Sequence, residues 1–233
     1  MGVLYIVPTP IGNLRDITLR AIDVLKEAKT VLSEDTRVTK KLLSLLEIDY
    51  SDKEFISFFD HNEERKIPLV IDLLTNGNDV VLVSDAGTPL LNDPGFKLVR
   101  EIRKLDQDIK IEVLPGATSI TTALVASGLP TDKFTFVGYF PRKKGKKENL
   151  LKDLSKINET LKVTYIGFES PYRLISTLEI IEDVYKDNCA ISVCNDLTKM
   201  YEFVITGKPK DVLTQIKSKS KLKGEFIVLF HID

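Results

Sequence analysis

The segment Ser84-Asp85-Ala86-Gly87-Thr88-Pro89, with Asp93-Pro94-Gly95 close behind it, constrains the fold more than any other part of this chain. It follows directly on the apolar run Val80-Val81-Leu82-Val83. An apolar run that short, closed by Gly and Pro, reads as a buried strand passing into a shaped loop. Gly87 and Gly95 permit positive φ or close backbone approach, and Pro89 and Pro94 stiffen the turn. In an open α/β sheet, ligands bind beyond the carboxyl ends of the strands, so this loop stands where a ligand would. Its carboxylates, Asp85 and Asp93, suit a cationic or hydroxyl-bearing group. The plainer reading is a rigid strand-to-helix turn with capping Asp residues.

Two more strand ends carry special residues. Tyr5-Ile6-Val7 runs into Pro8-Thr9-Pro10-Ile11-Gly12-Asn13-Leu14, and Thr30-Val31-Leu32 runs into Ser33-Glu34-Asp35-Thr36-Arg37. In the first half, strand-like runs at 3–7, 31–32, 55–58, 80–83 and 111–114 alternate with helical spacing. Ile17, Ala21, Val24, Leu25 and Ala28 keep that spacing, as do Val38, Leu42 and Leu45. Alternation of this kind predicts a mostly parallel sheet covered on both faces. The second half predicts a small-residue helix over 119–127, strands near 134–139, 163–168, 190–193, 202–206 and 226–230, and helices over 150–157, 174–184 and 212–216. Only one helix falls among its last three strands, so antiparallel pairs and a mixed sheet are expected. The expected fold is therefore α/β in two domains, 1–116 and 117–233, divided at Pro115-Gly116.

Composition is that of an ordinary globular protein, with 43% hydrophobic and 29% charged residues. No apolar run approaches the roughly 18 residues that span a membrane. The first apolar run stops at Pro8, so no signal peptide is expected. The two cysteines, Cys189 and Cys194, read as a buried reduced pair, which points to the cytoplasm. His61 and His231 are far apart and no C-x-x-C occurs, so no metal site is expected. There is no G-x-G-x-x-G and no Walker A sequence: Gly145-Lys146 is followed by Lys147. No Cys sits in a motif suited to attack on a pyrimidine ring, and no Asp/Asn-Pro-Pro-aromatic sequence appears. Charge is uneven. Residues 1–116 carry net −5 and residues 117–233 net +4, a hint that the second half faces nucleic acid. Its densest run is Arg142-Lys143-Lys144-Gly145-Lys146-Lys147, which reads first as a solvated loop and otherwise as a phosphate-binding rim.

The three strand ends combine with Phe59-Asp60-His61-Asn62-Glu63, Leu114-Pro115-Gly116-Ala117-Thr118, Ser127-Gly128-Leu129-Pro130, Glu169-Ser170-Pro171-Tyr172-Arg173, Leu197-Thr198-Lys199 and Gly224-Glu225-Phe226. In that order the chain resembles the tetrapyrrole methylase superfamily of S-adenosylmethionine (SAM) methyltransferases. Within it, the match is to enzymes that methylate a cytidine ribose 2′-hydroxyl in small-subunit (16S) ribosomal RNA. The resemblance implies SAM folded in a cleft between the two domains, an RNA or assembling small subunit as partner, no membrane, and a homodimer. Carried over residue by residue, it places Pro8, Ser84, Asp85, Ala86, Gly87, Thr88, Ala117, Thr118, Ile166, Gly167, Phe168, Asn195 and Leu197 at the cofactor. It departs from the usual pattern at Ala117-Thr118, where Pro-Ser is common, at Asn195, where Arg is usual, and at Tyr172, where His is common.

Methyl transfer from a sulfonium needs alignment, a dry pocket and, for a hydroxyl acceptor, one modest base. Lys199 is one candidate, if burial lowers its pKa. Glu34 and Asp35 are the others, with Arg37 on a substrate phosphate. Asp35 also reads simply as a helix N-cap. The resemblance makes His61 and Asn62 contacts to RNA or a partner subunit, and Arg142, Lys143, Lys144, Lys146 and Lys147 contacts to RNA phosphates. Glu169 and Arg173, four apart, read as an ion pair. Two rival functions stand beside the first: a tetrapyrrole ring methylase, and a non-catalytic RNA-binding assembly factor.

Overall fold

The computed structural model describes residues 1–105 and 109–233. They form two compact units, Met1–Thr118 and Ser119–Asp233.

In the first unit, strands β1 (Val3–Ile6), β2 (Thr30–Ser33), β3 (Glu54–Ser57), β4 (Val80–Val83) and β5 (Lys110–Val113) lie in the order β3-β2-β4-β1-β5. Every pairing is parallel. Strand β2 reads TVLS and β4 reads VVLV, and both are buried along their whole length, as central strands covered on two faces must be. Helices α1 (Leu19–Glu27) and α2 (Thr36–Leu45) bury Ala21, Leu25 and Leu43 against Val7, Val31, Val81 and Val83 on one face. Helices α3 (Glu63–Thr75) and α4 (Phe96–Lys104) bury Val70, Leu74, Leu98 and Ile102 against Leu4, Leu32, Ile56 and Leu82 on the other. The alternation within each strand sets which side chain meets which helix layer.

In the second unit, α5 (Ser119–Ala126) precedes strand β6 (Phe134–Tyr139), α6 (Lys144–Asn158), β7 (Thr164–Glu169), α7 (Leu174–Tyr185), β8 (Cys189–Asn195), β9 (Phe203–Gly207), α8 (Pro209–Ser218) and β10 (Phe226–Ile232). The sheet order is β6-β7-β10-β8-β9. Strand β10 is antiparallel to both neighbours, β9 is antiparallel to β8, and only β6 and β7 run parallel. Helices α6, α7 and α8 cover one face through Leu151, Leu178, Ile181, Val212 and Ile216, while α5 packs on β10. Cys189 and Cys194 are free and buried, and burial pushes their thiols up to about 12 and about 11.

One expectation is corrected here. The basic run at 142–147 is not a loop throughout. Helix α6 begins at Lys144, well before the predicted start at 150, and Lys147 is only 2% exposed. Its Nζ donates to Thr177 Oγ1 at 2.5 Å and lies 3.4 Å from Glu169 Oε2. Thr177 in turn donates to Glu169, and Arg173 meets the other carboxylate oxygen at 2.7 Å. Lys147 is thus a core cation bound to a buried carboxylate, not a rim lysine available to phosphate. Burial pulls its pKa down, and Glu169 opposes that fall.

A buried pair broken on one side leaves an uncompensated charge, which costs roughly 3–5 kcal/mol. Glu169→Ala should therefore destabilise the protein by about that amount in urea unfolding. The double variant Lys147→Met/Glu169→Leu should recover part of the loss. A double variant no more stable than the single would show that packing around Glu169, rather than charge pairing, dominates.

Candidate active site

All five strands of the first sheet run parallel, so their carboxyl ends share one edge. The chain leaves β2 toward β3 and leaves β4 across β1 toward β5, in opposite directions along the sheet. Diverging connections open a crevice between two adjacent strands, here β2 and β4. The loops at that point are the 33–37 and 84–89 segments. They are joined directly: the Asp35 backbone N–H donates to Asp85 Oδ1 at 3.0 Å.

The 84–89 turn is held on its other side by β1. Thr9 and Gly87 exchange two backbone hydrogen bonds, 2.9 and 3.0 Å long. Thr9 Oγ1 donates to the Ser84 carbonyl, and Ser84 Oγ donates to the Gly87 carbonyl. Gly87 has φ +85°, which favours glycine, and a Cβ there would crowd Ile11 Cγ2 at 3.2 Å. Thr88 Oγ1 donates to the Ala117 carbonyl at 2.9 Å. Pro8 lies against Gly116. The expected residues Pro8, Ser84, Asp85, Ala86, Gly87, Thr88 and Ala117 are therefore brought together, with Thr118 next in the chain. Asp85 and Ala86 are the exposed members.

The electrostatics of this edge are acidic. Glu34 is raised by burial and then by the charges of Asp85, Asp93, Asp60 and Asp35. Asp85 is raised chiefly by burial. Asp93 is pushed up to about 6 by burial, with Asp85 and Asp60 adding to the rise and the Ser84 hydroxyl opposing it. Asp35 goes the other way. The Arg37 side chain grips its carboxylate through Nε and Nη2, at 3.0 and 2.6 Å, and holds it at about 2. Asp35 also accepts from the Arg37 backbone N–H, the N-cap bond of α2. The capping reading of Asp35 is thus realised, and Glu34 is the more basic of the pair.

The segment between the 84–89 turn and α4 carries left-handed backbone. Leu90 and Asn92 adopt left-handed φ of 70° and 71°, and Gly95 has φ +122° with Leu82 2.6 Å from where a Cβ would be. This costly stretch is pinned by Glu63, 3% exposed, whose Oε1 accepts from the backbone N–H groups of Gly95, Lys97 and Leu98. It caps α4 from another helix. Glu63 stood in the sequence only as part of the 59–63 motif, with no capping role legible, because it lies 32 to 35 residues from the N–H groups it serves.

Asn62, expected as a contact to RNA or a partner subunit, lies in the scaffold of the β3 exit. It is buried, accepts from the Phe59 N–H and donates to the Ser57 carbonyl, which uses its amide to shape the exit of β3. His61 beside it is exposed.

In the second unit, several expected cofactor residues are packing elements. Ile166 is fully buried, and Gly167 is glycine because Phe140 packs where its Cβ would be. Phe168, half-buried, meets Phe136 and Tyr139 edge-on. The Asn195 amide donates to the carbonyls of Lys223 and Glu225, tying β8 to the approach of β10. Leu197 is buried. Lys199 reverses the expected shift. Burial lowers its pKa, but hydrogen bonds and charges from Glu225 at 2.9 Å and Asp196 at 3.5 Å outweigh this and raise it. Arg142, Lys143, Lys144 and Lys146 are exposed, as an RNA-facing role requires. Among the described residues, no group of three or more His, Cys, Asp and Glu is arranged to hold a metal ion.

A family model of the tetrapyrrole (corrin/porphyrin) methylases matches residues 3–213. The chain is 43% identical over 226 residues to the ribosomal RNA small subunit methyltransferase I of Hydrogenobaculum sp. (strain Y04AAS1), covering 97% of this chain and 94% of that protein. It is 40% identical over 232 residues to the protein of the same name from Mycoplasmopsis pulmonis, covering 100% and 99%. Among solved structures, the methyltransferase CobJ is similar with TM-score 0.71 at 16% identity, covering 100% of this chain and 95% of that one. The uroporphyrin-III C-methyl transferase of Thermus thermophilus complexed with S-adenyl homocysteine gives 0.61 at 19%, covering 98% and 97%. The solved structures speak to the fold, and the curated relatives to the family. The chain belongs to the tetrapyrrole (corrin/porphyrin) methylases.

Proposed function

We propose that this protein is a SAM-dependent methyltransferase acting on the ribose 2′-hydroxyl of a cytidine in small-subunit ribosomal RNA. The observation that carries this reading is end-to-end identity of about 40% to proteins named ribosomal RNA small subunit methyltransferase I. The corrin and porphyrin enzymes, by contrast, share the fold at 16–20% identity. An RNA substrate entails the cytoplasm as the place of action, and the expected homodimer belongs to the same proposal.

The acidic strand ends fit the cofactor chemically. Carboxylates raised by burial and by neighbouring negative charge gain from a nearby cation, and SAM presents a sulfonium and an ammonium beside a ribose diol. Residues 84–88, Pro8 and residues 117–118 of the first unit would hold it. Bound there, it supplies a methyl group already activated by positive sulfur. This chain's own work is alignment and proton removal. Glu34, made more basic by burial and its acidic neighbours, takes the hydroxyl proton. Asp35, held at about 2, is too weak a base and instead fixes Arg37. Lys199, kept protonated, serves as a cation toward phosphate or carboxylate rather than as the base.

Mass mapping of small-subunit rRNA from cells with and without the gene should reveal one ribose methylation that depends on it. An unchanged rRNA map would sink the substrate. Gly87→Val should weaken SAM binding at least tenfold in calorimetric titration of the folded variant, since a β-branched residue cannot adopt φ +85° without strain. Retained affinity would remove the 84–89 turn from the pocket.

Single-turnover transfer should rise with pH as Glu34 ionises and fall away below its raised pKa. Glu34→Gln should slow transfer by about a hundredfold, the usual worth of a base, and abolish that acid limb. Asp93→Asn removes a negative neighbour, so it should move the limb to lower pH. Lys199→Met should raise KM with little change in kcat. If it instead lowers kcat a hundredfold while Glu34→Gln is silent, the base lies in the second unit.

A further inference from the structure

The second sheet gathers its exposed aromatic residues and its basic segments along one edge. Strands β6, β7 and β8 end there, and β9 and β10 begin there, because β10 and β9 run against the other three. Phe226 pairs with Glu169 on one side and Asn195 on the other, so the loops after β7 and β8 emerge two strands apart, about 10 Å. On these loops Tyr172 is 97% exposed, Met200 88% and Tyr201 77%. Tyr139, at the end of β6, is 56% exposed and lies edge-on to Phe168. Four large side chains along one sheet edge form a patch that soluble proteins keep for a partner.

The charge of the edge says which partner. Segments 140–144, 170–173, 196–202 and 219–225 carry eight basic and three acidic residues. The acids are partly spent: Asp196 and Glu225 pair with Lys199. In sequence the basic segment Lys217–Lys223 reads as a solvated helix end. The direction of β10 instead delivers Lys221 and Lys223, both exposed, to the edge that also receives Arg142 and Lys143. Exposed tyrosines interleaved with lysines and arginines match unpaired nucleotides, whose bases stack on rings while phosphates meet cations. A duplex hides its base faces and offers the rings nothing to stack on.

We propose that this edge is a stacking platform for single-stranded RNA, with Tyr172 and Tyr201 each holding one splayed base and Lys221 and Lys223 on the phosphates. The proposal rests on the reading of this protein as an rRNA methyltransferase and names the surface that grips the strand around the target.

The test uses the full-length protein and a fluorescein-labelled twelve-nucleotide pyrimidine RNA, single-stranded or annealed to its complement. Tyr172→Ala and Tyr201→Ala should each weaken single-strand binding roughly tenfold, as loss of one stacked base does, with no change in salt dependence. Tyr172→Phe should bind like the wild type. Lys221→Ser/Lys223→Ser should make the slope of log affinity against log salt shallower by about 1.4. All four variants should keep the wild-type affinity for SAM, since these side chains are exposed and substitution leaves the fold intact. Wild-type affinity in both tyrosine-to-alanine variants, or a preference for the duplex, overturns the proposal. So does a Tyr172→Ala variant that changes sedimentation mass but not RNA affinity, because the edge would then bind a second copy. A wild type that binds the oligonucleotide with these dependences yet leaves small-subunit rRNA unmethylated would refute the proposed activity alone.

Discussion

Two backbone hydrogen bonds between Thr9 and Gly87 hold the first unit's functional edge in place. They join the loop after β1 to the loop after β4, two strands adjacent in the sheet but more than seventy residues apart in the chain. The bridge exists only because Gly87 turns left-handed, which lets its carbonyl and N–H both face Thr9. Around it the hydroxyls of Thr9, Ser84 and Thr88 satisfy neighbouring carbonyls. The loop is therefore rigid before any ligand arrives, and little ordering entropy remains to be lost on binding.

That rigidity has an electrostatic consequence. A preshaped loop cannot move its carboxylates apart, so Glu34 and Asp93, raised first by burial, are raised further by the charges of Asp85 and Asp60. Water would screen such repulsion if every group were fully exposed, but Glu34 and Asp93 are partly buried and keep it. The relief comes from a cation or from a proton. Arg37 grips Asp35 directly and acts on Asp85 only through its charge, so Asp35 is held low while Glu34, Asp85 and Asp93 stay raised. Two adjacent residues of the sequence thus acquire opposite chemistry from their surroundings.

The buried polar side chains show a different logic. Asn62, Glu63 and Asn195 each spend their hydrogen-bonding capacity on backbone groups of loops that border the sheet edges. Glu63 alone serves three N–H groups at the start of α4, where a helix terminus leaves donors without partners. Such residues resemble binding residues in sequence, because polar groups flanked by Gly and Pro mark both. Their burial separates the two classes.

The amino-acid sequence by itself determined the strand–helix alternation, the parallel first sheet, the mixed second sheet and the special character of the 84–89 turn. These are local matters: apolar periodicity, Gly and Pro placement and helix capping act over a few residues. The family was legible too, since its motifs are contiguous. Strand order was not, and it is strand order that sets β2 beside β4 and makes Asp35 a neighbour of Asp85. The fate of Lys147 was equally hidden. In sequence it is one of five basic residues in a run, and only the packing of α6 against β7 and α7 turns it into a core cation. The pKa of Lys199 depends on Glu225, 26 residues away across the start of β10. Charge partners, desolvation and shared edges are properties of through-space distance, which a chain of this length fixes only by folding.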